Sequence, residues 1–123
     1  MEDAWGYNSF NTGIVELLLK EGALVKARNK SSDTPLHVAA RYGNTGIVKL
    51  LLKEGALVEA INIDRFTSLH FAADCGYTGI VELLLERCDS VEVNNCSRIT
   101  PLDLAKIGGH TRTMELLREK GIQ

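Results

Sequence analysis

The chain has 123 residues, 45% of them hydrophobic, and a formal net charge of −2. Those totals suit one folded domain and exclude a disordered chain. Lys and Arg are scattered, with no basic run or stripe, which argues against a nucleic-acid or anionic-membrane partner.

No apolar run approaches the ~20 residues that cross a bilayer. The opening Met1-Glu2-Asp3-Ala4 is acidic and lacks the pattern of a signal peptide. Cys75, Cys88 and Cys96 are odd in number and at no framework spacing, so they read as free thiols in a reducing compartment. An intracellular, cytoplasmic protein is expected, with the nucleus as a further option.

Residues 1–10 match no other stretch of the sequence. From Asn11 a phrase, Gly-Ile-Val-(Glu/Lys)-Leu-Leu-Leu, appears at Gly13–Leu19, Gly46–Leu52 and Gly79–Leu85, 33 residues apart. An altered copy follows at Arg112–Arg118. Self-similarity at such a period marks a stacked array. Each unit reads as two short helices. The first opens at Thr34-Pro35-Leu36-His37, Thr67-Ser68-Leu69-His70 and Thr100-Pro101-Leu102-Asp103. Threonine caps a helix through its hydroxyl, and proline fits the next position because its missing N–H is not needed there. The helix then runs through small residues and stops at Gly43, Gly76 or Gly108-Gly109. The second helix begins near Thr45, Thr78 or Thr111 and carries the phrase. Its apolar residues cover nearly the whole circumference, leaving Lys49 and Lys53 for solvent, so it needs burial on several sides. Stacking on a neighbouring unit supplies that burial. Gly22, Gly55 and Gly121 end it.

Thr-Pro-Leu-His-Val-Ala-Ala-Arg-Tyr-Gly followed by Gly-Ile-Val-Lys-Leu-Leu-Leu-Lys-Glu-Gly-Ala, at a 33-residue period, resembles the ankyrin repeat. The likeness runs from Asn11 to Gly121. It implies an all-α solenoid of stacked helix-turn-helix units with β-hairpin fingers. The chain divides into a single 1–123 domain: a partial N-terminal repeat (1–29), repeats at 30–62 and 63–95, and a C-terminal capping repeat (96–123). The resemblance also implies a protein-interaction module, a monomer that binds another protein on the concave face, with no enzymatic activity and no cofactor. The alternative is a structural spacer from a larger repeat protein, or an engineered scaffold without a native partner. The near-identity of Asn11–Ala27 and Asn44–Ala60 leaves that open.

Departures from the family pattern are informative. Ser32, Arg65 and Arg98 stand where the finger turn usually has glycine, which predicts tighter or altered turns. Cys88 replaces a helix-ending glycine and predicts a weak junction. Thr113 and Arg118 replace apolar residues of the phrase and read as a polar outer face. At the other end, either Trp5, Tyr7 and Phe10 fold over the exposed face as an improvised cap, or the chain is cut from a longer array.

Candidate chemistry is sparse. His37 and His70 fall at the third helical position, where the imidazole can bond back to the capping threonine and to the adjacent finger. His110 reads as a surface turn residue. No C-x-x-C or H-x-x-x-H pair suggests a metal site. No nucleophile turn or Gly-rich phosphate loop is visible.

The resemblance places partner contacts at the finger tips and just after Ala-Ala on the first helix. Those positions are Arg41, Tyr42, Ile61, Ile63, Asp64, Phe66, Asp74, Cys75, Ile99, Lys106 and Ile107, with Lys30, Ser31, Asp33, Cys96 and Ser97 beside them. Tyr42 and Phe66 are the expected anchors, because an apolar track with a polar rim is how an interface looks.

Overall fold

The computed structural model describes residues 28–87 and 99–122. Expectations about residues 1–27, the Cys88 junction, and Cys96, Ser97 and Arg98 lie outside that range. The described residues form six helices: α1 Pro35–Arg41, α2 Thr45–Lys53, α3 Ser68–Cys75, α4 Thr78–Glu86, α5 Pro101–Gly108 and α6 Thr111–Glu119.

They are three antiparallel pairs, α1/α2, α3/α4 and α5/α6, stacked in chain order. Ala39, Ala40, Ala72, Ala73 and Ala105 are all fully buried. Without side chains beyond Cβ, the first helices approach closely, and α1, α3 and α5 pack more intimately than α2, α4 and α6 do. The layer of first helices is thus the more closely packed of the two. Ile47, Val48, Leu51 and Leu52 of α2, and Ile80, Val81, Leu84 and Leu85 of α4, fill the layer behind them. Each such side chain contributes roughly 1.5–3 kcal/mol when fully buried.

The first helices start alike. In α1 the Thr34 hydroxyl accepts from His37 N at 3.3 Å, and Thr34 N donates to His37 Nδ1 at 3.0 Å. This reciprocal box satisfies two donors at once. Because Nδ1 accepts a backbone N–H, the ring proton is on Nε2, which donates to the Phe66 carbonyl of the next unit at 2.8 Å. His70 repeats the arrangement, with Thr67 N donating to Nδ1 at 3.0 Å and Nε2 donating to the Ile99 carbonyl at 3.0 Å. In α5 Asp103 takes the histidine's place. Its Oδ2 accepts from Thr100 N at 3.2 Å, which completes the cap but offers nothing to a further unit.

The fingers are five-residue turns. Asn62 N donates to Phe66 O, Arg65 N donates to Asn62 O, and Asn62 Oδ1 accepts from both Asp64 N and Phe66 N at 2.9 Å. Asn29 closes the preceding finger in the same way. No strand ladder forms among the described residues. Adjacent fingers meet through Ile63 N, which donates to Ser31 O at 3.0 Å. Ser32 and Arg65 have φ of 60° and 66°, the left-handed conformation that a glycine there would adopt. The turn is therefore conventional, not tightened. Its geometry is imposed on non-glycine residues at a cost of roughly 1–2 kcal/mol each, offset by the asparagine's two acceptor bonds.

Three expectations need correction. Thr113 is only 1% exposed, because it projects from α6 into the layer that Ile47 and Ile80 occupy in their units. Arg118 alone of that pair is exposed, standing where Leu52 and Leu85 are buried. His110 is half-buried and its Nε2 donates to the Asp74 carbonyl at 3.0 Å, so it joins two units and is not a free turn residue. A Cβ at Gly76 would run into its ring, and one at Gly43 would stand 2.8 Å from the equivalent ring of Tyr77. Asp33, expected on the partner side, is 4% exposed and accepts from Asn62 Nδ2 at 2.9 Å. It braces one finger against the next.

Two buried hydroxyls, Ser68 Oγ and Thr113 Oγ1, have no hydrogen-bond partner. Thr67 before Ser68 is already extended, at φ −95° and ψ 173°, the conformation a residue before proline prefers. Ser68→Pro should therefore raise stability by roughly 0.4–1 kcal/mol. Thr113→Val should add about 1 kcal/mol by removing an unpaired buried hydroxyl at constant shape. Urea-unfolding midpoints check both, and a fall in either midpoint would refute the packing assigned to that residue.

Burial, the largest influence, lowers the pKa of His37 and of His70; the Phe66 and Ile99 carbonyls respectively, and for His37 also Asp33, partly oppose it. The neutral ring is the folded form, so between the folded pKa and about 6.5 the unfolded chain binds more protons. Stability is then complete above about pH 6.5 and falls on acidification, by up to ~1.4 kcal/mol per pH unit for each histidine. NMR titration should give midpoints below 6.5 for His37 and His70, and the urea midpoint should drop from pH 7 to pH 5.5.

Candidate functional site

The frame accounts for the residues that recur from unit to unit and leaves the fingers and the ends of the first helices to the variable ones. Arg41, Tyr42, Ile61, Ile63, Asp64, Asp74, Cys75, Ile99, Lys106 and Ile107 are exposed there, and Phe66 is half-buried. Six large hydrophobic residues are exposed among the described ones, and five of them belong to this set: Tyr42, Ile61, Ile63, Ile99 and Ile107. The sixth, Leu57, sits in the loop after α2.

Phe66 stands at the end of its finger, where the buried Asn62 turn fixes its backbone. Its ring lies flat on His70, with centroids 4.9 Å apart and planes 12° apart. Phe71 of α3 meets Phe66 edge to face at 6.0 Å and meets His37 in the same way at 5.8 Å. The guanidinium carbon of Arg41 lies 5.7 Å from the Phe71 centroid, within range of a cation–π contact. Two phenylalanines and two histidines thus make an aromatic floor, with Arg41 over the Phe71 ring; Tyr42 follows Arg41 as the C-cap of α1. Phe71 was not among the sequence-derived candidates. It occupies the position of Val38 and Leu104, which reads as ordinary helix packing; its aromatic character was the available signal.

Cys75 is a free, exposed thiol whose Sγ–H points at the Arg41 carbonyl, 3.7 Å away. Partial burial and then the charge of Asp74 push the thiol above its ordinary pKa, so it is a poor nucleophile. His37, His70 and His110 each have Nε2 committed to a backbone carbonyl. Among the described residues no three His, Cys, Asp or Glu side chains converge as a set of metal ligands. An open cleft of about 510 Å³ is lined by Arg28, Leu52, Arg87 and the 55–60 loop. Arg28 Nη1 donates to the Ile61 carbonyl and Arg87 Nη1 to the Leu52 carbonyl, so both cations tie units together. No helix among the described residues is long and apolar enough to cross a membrane.

The family model described as ankyrin repeats (3 copies) matches residues 5–95. No curated protein is a significant match to the chain. Ankyrin repeats are generally protein–protein interaction modules and typically lack enzymatic activity. The match spans most of the sequence and agrees with the capped, alanine-lined helix pairs of the stack, and on both grounds the chain belongs to the ankyrin-repeat family.

Proposed function

We propose that this chain binds another protein across the concave face formed by its fingers and first helices, as a monomer inside the cell and without a cofactor. The observation that carries the reading is the distribution of exposed apolar residues. Among the described residues five of the six large ones fall in the finger and first-helix set, from Ile61 at 36% exposed to Ile107 at 80%. Such side chains outside a core, rimmed by Arg41, Asp64, Asp74 and Lys106, favour a partner that covers them. The surface is also preorganised: capping boxes, finger turns and aromatic stacking hold it in place, so little ordering entropy is lost on docking.

Tyr42 and Phe66 are the anchors in this reading. A partner isolated by affinity capture and identified by mass spectrometry should bind the Tyr42→Ala/Phe66→Ala variant at least ~30-fold more weakly, equivalent to 2 kcal/mol or more for two hot spots. Helical content by circular dichroism should be retained, and Leu57→Ala should bind as the parent does. Equal affinity of the double variant would move the site elsewhere.

A further inference from the structure

Arg41 differs from the other cations among the described residues in how it is held. It is exposed at the last residue of α1, yet its guanidinium rests over the Phe71 ring at 5.7 Å. Phe71 is itself fixed edge-on to Phe66 and His37. Among the described residues the one ion pair is Arg112–Glu115, so no carboxylate of these residues neutralises Arg41. A guanidinium lying over a ring keeps its N–H edge free, and that edge matches the two oxygens of a carboxylate. By contrast, Arg28 and Arg87 have already given Nη1 to backbone carbonyls.

The residue equivalent to Arg41 in the next unit is Asp74, also exposed, near the C-terminal end of α3. The negative pole of that helix makes Asp74 a poor neighbour for a second carboxylate. The concave surface therefore has a sense. At the α1 end a pinned cation adjoins an aromatic floor, and one unit further on the charge reverses. A segment that sets an apolar side chain on Phe66 and Phe71 fits in one direction, with its acid at Arg41.

We propose that the partner of this face is a peptide segment bearing a carboxylate beside an aromatic or large aliphatic residue, the carboxylate taken by Arg41 and the apolar side chain by the Phe66–Phe71 floor. This rests on the concave-face reading above and adds the chemistry of the occupant. Selecting a phage-displayed library of random 12-residue peptides against the full chain tests it. The enriched sequences should carry Asp or Glu within a few residues of an aromatic or Leu/Ile/Met residue. A synthetic peptide of that kind, followed by fluorescence anisotropy, should lose at least tenfold in affinity for Arg41→Ala and a smaller factor for Arg41→Lys, which keeps the charge and loses the planar fork. Changing the peptide's acid to its amide should weaken binding to the parent chain but not to Arg41→Ala. Both Arg41 variants are exposed substitutions whose folding circular dichroism checks. Peptides that need Phe66 and Tyr42 but carry no acid, or that ignore Arg41, would overturn the carboxylate while leaving the concave face standing. Peptides insensitive to Tyr42→Ala/Phe66→Ala would overturn the face itself. Enrichment of basic peptides, or of none, also counts against the proposal.

Discussion

The bond from a histidine Nε2 to a carbonyl 29 residues further on holds the molecule to its shape. His37 reaches Phe66, and His70 reaches Ile99. Each ring is buried, so an unmade bond there would cost the full desolvation of a donor, roughly 1–3 kcal/mol. The other ring nitrogen is fixed by the capping threonine's N–H, which settles the tautomer and aims Nε2 outward along the stack. One residue type therefore does two jobs. It closes its own helix and hangs the next finger. The substitution by Asp103 separates those jobs: the carboxylate keeps the cap and gives up the reach.

Around that bond the repeats are asymmetric from front to back. Alanine on the first helices lets them approach, whereas leucine, isoleucine and valine on the second helices hold them apart. The closer approach of the first helices follows from side-chain volume. Further bonds between units reinforce it at different heights. Asn62 to Asp33 works at the fingers, His110 to Asp74 at the inter-helix loop, and Arg87 to Leu52 behind. A linear array gains most of its stability from such nearest-neighbour terms, so these few contacts matter beyond their number.

Much of this was legible in the sequence. The 33-residue period, the Thr-Pro-Leu-His starts and the glycine stops gave the helix pairs and their order, because each is a local rule repeated at fixed spacing. What was not legible depends on the neighbouring unit. Thr113 looked like a surface residue by polarity, but the phrase position it occupies points inward, and position outweighed polarity. His110 looked like a variable turn residue, yet the glycine of the preceding unit leaves room for a ring to lie across it. Asp33 shared its position with Phe66 and Ile99, which face out, while its own carboxylate turned to Asn62. That asparagine, with Asn29 one period before it, was visible as a repeated residue whose role only the closed turn explains. That Ser32 and Arg65 lack the glycine of this turn is plain in the sequence; that the surrounding bonds hold them left-handed is a tertiary fact.

The candidate surface was read as a set of exposed variable positions, and in the structure it is not separable from the frame. Phe66 shows why. Its carbonyl receives the His37 proton, its N–H is held by Asn62, and its ring stacks on His70. The same residue is framework through its backbone and part of the proposed docking surface through its side chain. Removing the ring uncovers His70 and takes away a neighbour of Phe71, whose own ring supports Arg41. A loss of affinity at Phe66 would therefore mix direct contact with loosening of the floor, whereas a loss at Tyr42, an exposed residue outside those ring contacts, would report contact alone. This difference makes Tyr42 the cleaner probe of the face and Phe66 the point where stability and recognition are coupled.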